Sequence, residues 1–284
     1  EPGSAGIKRI FQQMNLGLED RTAFVAGASS GLGRAAAEAL AREGAKVAIC
    51  SRSRSRIEEA AAHVRDAADV EADRVLPLVC DVTEEKQIER ALAETVDTWG
   101  GLNVLVTNAG GPPTGKIDDF DAGDWRDAIE LNFMSTVNMC RNALPHIREA
   151  ADADDPHARI LMITSISAKQ PIPNLYLSNS ARAGVQGFAK SLAEELGPEG
   201  ITVNTLLPGY TRTQRLVDLA EDIQEETGKS REEIEADWGE NNALKRIGEP
   251  REFGAAVTFL ASEPAGYITG VALPVDGGRS KHVL

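Results

Sequence analysis

With 284 residues, 42% of them hydrophobic and 26% charged, the chain has room for one large α/β domain with a substantial core. A formal net charge of -14 disfavours nucleic acid and anionic membranes as partners, and no apolar run approaches the ~20 residues that a membrane span needs. Cys50, Cys80 and Cys140 stand far apart in apolar surroundings and the four histidines are scattered, so neither a disulfide framework nor a metal site is expected, and a reducing, cytoplasmic compartment is.

Residues 1–17 begin Glu1-Pro2-Gly3-Ser4, without a basic end followed by an apolar stretch, and read as an extension or tag remnant rather than a secretory leader. From residue 18 onward, short apolar runs alternate with longer helical patterns. In chain order these predict a strand at 22–27, a helix at 32–43, a strand at 46–50, a helix at 56–67, a strand at 75–80 and a helix at 84–98. A strand at 104–107, a helix at 124–144, a strand at 159–164 and a helix at 179–196 follow, then a strand at 202–207, a helix at 251–260 and a strand at 271–275. Most strands carry no polar alternation, as expected when helices cover both faces. In the fifth helix Ala181, Val185, Phe188, Ala189, Leu192 and Leu196 form a stripe at helical spacing. Repeated strand–helix units imply parallel strands with right-handed crossovers, hence a doubly wound α/β sheet. No linker divides residues 18–284, so a single domain is expected. An acidic helical stretch at 210–247 follows the carboxyl end of a strand, where open α/β sheets bind ligands, and reads as a substrate lid.

The first strand runs into Gly27-Ala28-Ser29-Ser30-Gly31-Leu32-Gly33 and then a helix of small residues. Glycines here permit a tight turn and let backbone approach a pyrophosphate, whose charge is favoured at a helix N-terminus. The spacing Gly-x-x-x-Gly-x-Gly resembles the loop of the short-chain dehydrogenase/reductase family, and the resemblance runs from Leu18 to about Gly278, closest to 3-oxoacyl-carrier-protein reductases with an imperfect catalytic tetrad. It implies a Rossmann fold, a homodimer or homotetramer, and a small carbonyl or alcohol as substrate. Asp81-Val82 is similar to the family's adenine-contacting pair, and Asn108-Ala109-Gly110 to its Asn-Ala-Gly signature. Pro208-Gly209 follows the sixth strand, and Thr211 and Thr213 resemble contacts to the nicotinamide carboxamide.

Cofactor preference follows from charge. An acid ~20 residues beyond the glycine loop would bind a ribose 2′-hydroxyl and repel a 2′-phosphate. Here the second strand ends Cys50-Ser51-Arg52, without an acid, and Arg34 flanks the loop, so NADP is expected ahead of NAD.

The resemblance also implies catalytic roles: Ser165 orients the substrate oxygen, Tyr176, eleven residues on, donates the proton, and Asn132 supports a relay. The family's lysine, four residues after the tyrosine, is replaced by Ser180. Serine cannot favour tyrosinate by charge, and an unaided tyrosine titrates near ~10. Three readings stay open: Lys169 or Lys190 compensates, the tyrosine works slowly as a plain donor, or the protein binds dinucleotide in a regulatory or scaffold role without reducing anything.

Overall fold

In a computed structural model describing residues 15–152 and 156–282, the apolar runs form β1 (Thr22–Val25), β2 (Lys46–Ser51), β3 (Val75–Val79), β4 (Val104–Thr107), β5 (Arg159–Ile163), β6 (Thr202–Pro208) and β7 (Ala272–Val275). They pair in the order β3-β2-β1-β4-β5-β6-β7, every neighbour parallel. Between them lie α1 (Gly31–Arg42), α2 (Arg54–Ala68), α3 (Glu85–Trp99), α4 (Ala122–Ile129), α5 (Ser135–Ala151), α6 (Tyr176–Leu196), α7 (Gln214–Thr227), α8 (Arg231–Glu240) and α9 (Pro250–Ala261). This is the doubly wound Rossmann arrangement, with the order reversing between β1 and β4, the place where such sheets open a crevice.

Successive strand residues point to opposite faces, so each strand feeds two cores. Ala23, Val25, Val47 and Ile49 pack under α1, α2 and α9 with Leu40, Ile57, Val64 and Phe253. Phe24, Ala26, Ala48 and Cys50 face the other way, against α3, α5 and α6 with Leu92, Met139, Ile147 and Val185. Cys50, Cys80 and Cys140 are free and buried within that second core. The packed region starts before residue 18: Leu16 lies against the first core and its carbonyl accepts from Glu263 N at 2.9 Å. The rest of the proposed extension, residues 1–14, lies outside the described residues. Among the described residues no helix is long and apolar enough to cross a membrane.

Two elements differ from the sequence expectation. The helix expected at 124–144 is divided by a π-turn, Glu130–Met134, between α4 and α5. The wider turn inserts a residue into the helical repeat and aims Asn132 inward. The acidic stretch folds as α7 and α8, with a small core of its own built from Leu216, Ala220, Ile234, Trp238 and Ile247.

Helices α1 and α9 meet at Gly254, where a Cβ would stand 2.5 Å from the Ala35 carbonyl oxygen. Gly254→Ala should therefore cost about 1–3 kcal/mol, as overpacking does in a close-packed interior. A urea melt reads the loss, and unchanged stability would show that the two helices separate without strain.

Candidate active site

The chain leaves β1 through Gly27, whose φ of +58° places it in the left-handed region. A Cβ on Gly33 would lie 2.5 Å from the Gly27 carbonyl oxygen, and one on Gly27 would lie 2.8 Å from Asn108 Nδ2. Asn108 Nδ2 donates to Gly27 O at 3.1 Å, so the loop after β1 is tied to the end of β4. Ser30 is the N-cap of α1 but makes no side-chain capping bond, and the first turn holds no acid. Free N–H groups and the positive end of the helix dipole therefore face the cleft. This cradle fits a dinucleotide pyrophosphate, which needs close backbone approach and unpaired donors.

The cleft, roughly 360 Å³, is lined by Gly27, Ser30, Gly31 and Leu32, by Asn108, Ala109 and Gly110, and by Pro208, Gly209, Thr211 and Thr213. Eleven residues from the carboxyl ends of β1, β4 and β6 and the start of α1 thus meet around one space. Ser29 and Gly33 do not line it, and Gly33 acts through the close backbone crossing just described. Asp81 and Val82 lie beyond it, after β3: Asp81 Oδ1 accepts from Thr83 N (3.1 Å) and Oγ1 (2.8 Å), which shapes the turn, and Val82 packs on the second core. The two arginines differ. Arg34 Nε pairs with Glu38 at 3.3 Å, whereas Arg52 is exposed and has no ion-pair partner among the described residues.

Ser165 lines the cleft at the end of β5. Its Oγ accepts from Ser167 N at 3.0 Å, and its own hydroxyl hydrogen has no protein acceptor among the described residues, so it can be donated into the cleft. Asn132 donates from Nδ2 to Gly110 O at 2.6 Å, and its buried Oδ1 has no partner. A buried amide oxygen left unpaired is uncommon and calls for a water or ligand donor.

Tyr176 is where the expectation needs correction. It opens α6, is 44% exposed, and does not line the cleft. Nine residues separate it from buried Val185; at ~100° per residue that is about half a turn away, on the opposite side of the helix. Ser180 is exposed on the same outer side as Tyr176, so whether a lysine stands there is irrelevant to the cleft. Lys169 is exposed too, and Lys190 reaches Gly270 O at 3.5 Å; neither borders the cleft.

The residues that α6 does present are Ser178 and Arg182. Arg182 Nε donates to Ser178 Oγ at 3.1 Å and Nη1 to the Thr164 carbonyl at 2.9 Å. Burial, and then the like charge of Arg215, push the guanidinium down to about 10. Thr164 is itself held by Gln186, which donates to its Oγ1 at 3.0 Å and accepts from Thr205 at 2.8 Å. Sequence reasoning missed this pair, although the stripe Ala181, Val185, Ala189 marks the buried side and Ser178 and Arg182 adjoin it. Of the tyrosines, Tyr210 lines the cleft; its ring stacks on Trp238 (4.9 Å between centroids) under the Arg279 guanidinium (4.3 Å).

The chain is similar to known proteins in both sequence and fold. A family model described as Enoyl-(Acyl carrier protein) reductase matches residues 27–280. The 3-oxoacyl-acyl-carrier-protein reductase FabG of Vibrio cholerae is 32% identical over 263 residues, 93% of this chain and 98% of that protein. Among solved structures, L-sorbose reductase from Gluconobacter frateurii, complexed with NADPH and L-sorbose, superposes with a TM-score of 0.88 at 30% identity, covering 95% of this chain and 100% of that one. An actinorhodin polyketide ketoreductase with NADPH gives a TM-score of 0.86 at 29% identity, covering 93% and 98%. The chain belongs to the short-chain dehydrogenase/reductase family of NAD(P)-dependent oxidoreductases.

Because Arg52 is the unpaired guanidinium beyond β2, Arg52→Asp should cut NADPH affinity at least tenfold while changing NADH affinity little. Fluorescence titration of both cofactors checks this. Arg34→Ala should matter less, since Glu38 already engages that side chain, and equal loss from both variants would show that the pairing does not rank them.

Proposed function

We propose that the chain is an NADP(H)-dependent reductase that interconverts a carbonyl and a secondary alcohol, 3-oxoacyl-reductase-like in substrate type. The observation that carries the reading is a single cleft in which the uncapped start of α1 and the glycine crossing face the unspent hydroxyl of Ser165. The NADPH held by the sorbose reductase and polyketide ketoreductase structures supports the cofactor, as does Arg52 without a competing acid.

In this reading Gly27, Ser29, Ser30, Gly31, Leu32 and Gly33 hold the pyrophosphate, Arg34 and Arg52 the 2′-phosphate, and Asp81 and Val82 the adenine. Asn108, Ala109 and Gly110 border the ribose, and Pro208, Gly209, Thr211 and Thr213 border the carboxamide. Bound NADPH supplies the hydride. Ser165 donates its hydroxyl hydrogen to the substrate oxygen, where negative charge develops, and Asn132 Oδ1 anchors a water behind it. Helices α7 and α8 act as the lid: Leu219, Ile223 and Trp238 wall a second cavity of roughly 450 Å³ that adjoins the cleft and is bordered by Lys116 and Leu175. A chamber that sets apolar walls beside Lys116, Asp119 and Asn174 suits a small organic substrate with both apolar and polar parts. The exposed Phe259, Tyr267 and Val271, near the edge strand β7, support self-association as a dimer or tetramer, and the free, buried cysteines suit a reducing, cytoplasmic location.

A second reading, dinucleotide binding without reduction, is favoured by one observation: no lysine lines the cleft, and its tyrosine, Tyr210, is clamped between Trp238 and Arg279. Consumption of NADPH in the presence of ketones separates the two. Ser165→Ala should lower kcat roughly 10²–10³-fold, the usual effect of losing one donor to a developing oxyanion, with cofactor affinity unchanged. An unaltered kcat would remove Ser165 from the chemistry.

A further inference from the structure

We propose that Ser178 and Arg182 supply the proton and the oxyanion-holding cation in the cleft, doing on the inner side of α6 what Tyr176 and position 180 cannot do on its outer side. The proposal rests on the carbonyl-reductase reading above and names the residues that would complete its chemistry.

The geometry supports each role. Two residues four apart share one helix side, so a hydroxyl and a cation at 178 and 182 reach the same space. Arg182 Nε donates to Ser178 Oγ at 3.1 Å, which leaves the Ser178 hydroxyl hydrogen to point elsewhere; among the described residues no protein atom accepts it. Ser165, another hydroxyl without a protein acceptor among the described residues, borders the same cleft. Arg182 Nη1 is pinned to the Thr164 carbonyl at 2.9 Å and Nη2 has no protein partner among the described residues. In a chain with 44 acidic residues, Arg182 forms no ion pair with any described carboxylate, and Arg215 lies near it with the same charge. A partly buried guanidinium without a described counter-charge favours negative charge on whatever oxygen lies beside it.

The carbonyl carbon gains a hydrogen with its electron pair as the dihydronicotinamide is oxidised, and the π pair of the C=O bond moves onto oxygen. The Ser178 O–H bond breaks and its proton forms the new O–H bond of the alcohol. Arg182 Nε–H holds the resulting serine oxyanion until water returns a proton to it.

The first test needs neither cofactor nor substrate. In Ser178→Cys, the introduced thiol should be alkylated by iodoacetamide with a midpoint at least one pH unit below the ordinary ~8.5, because the adjacent guanidinium favours thiolate. Adding Arg182→Gln should return the midpoint to the ordinary range; the native cysteines are buried, and the unsubstituted protein controls for them. An ordinary midpoint in Ser178→Cys, or one indifferent to Arg182→Gln, overturns the pairing. The second test follows NADPH oxidation with 2,2,2-trifluoroacetophenone, ethyl acetoacetate and L-sorbose. Ser178→Ala and Arg182→Gln should each lower kcat at least 100-fold with NADPH affinity within threefold of normal. Ser178→Thr and Arg182→Lys should restore part of it, and Tyr176→Phe should retain it. Retained kcat in Ser178→Ala, or loss confined to Tyr210→Phe or Tyr176→Phe, overturns the pair alone. Unsubstituted protein that binds NADPH yet oxidises none with any of the three ketones overturns the reductase reading and the pair's chemical role with it.

Discussion

The site depends on how closely three backbone segments approach one another at the centre of the sheet. Gly33 lies so near the Gly27 carbonyl that a single methyl group would collide with it, and Asn108 Nδ2 ties that same carbonyl to the end of β4. The crossing sits where the strand order reverses, and everything that borders the cleft is positioned from it. Helix α1 starts with its N–H groups directed outward into the space, β4 delivers Asn108 to Gly110, and the Gly110 carbonyl in turn fixes Asn132. A larger residue at either glycine would push α1 away from the sheet and open the floor of the cleft. Overpacking of this kind typically costs a few kcal/mol, a large share of a domain's stability.

From that floor the other walls are built by side chains with definite partners. On the far side, α6 is anchored by Val185, Ala189 and Leu196 in the second core, and a short network of Thr205, Gln186 and Thr164 holds its inner edge. Helices α7 and α8 have their own small core and are connected to the body by Arg212, which pairs with both Glu235 and Glu249. A segment with its own core can move as a unit, which suits a wall that must admit a substrate and then exclude water. Exposed ion pairs elsewhere, such as Arg148 with Glu199 and Lys229 with Asp237, are each worth little singly. The cleft is different, with Arg182 and Arg215 facing it.

Much of this was legible in the residues. Uninterrupted apolar runs located all seven strands to within two or three residues, because a strand buried on both faces leaves no polar signal to confuse with a helix. The glycine loop and Asn108 were legible for the same reason that they matter: backbone contact leaves few residue types possible. The π-turn was not, since one extra residue in a helical stretch changes neither composition nor hydropathy, yet it decides where Asn132 points. Tyr176 failed for a different reason. Its residue type matches the family pattern, but helical phase turns it outward, and the apolar stripe places Ser178 and Arg182 inward. A helix side is set by what it must bury, so Leu177, Ala181 and Val185 turn Ser178 toward the cleft and Tyr176 toward solvent.

Reduction in this cleft would take its hydrogen from a bound nicotinamide. The most direct measurement supplies NADPH carrying deuterium at the transferable C4 position together with 2,2,2-trifluoroacetophenone, and analyses the alcohol by mass spectrometry and NMR. One deuterium on the carbinol carbon, of a single handedness, is the predicted result, because the cleft holds cofactor and ketone in one fixed relation. Alcohol without deuterium, or no alcohol from a protein that binds the labelled cofactor, would contradict it.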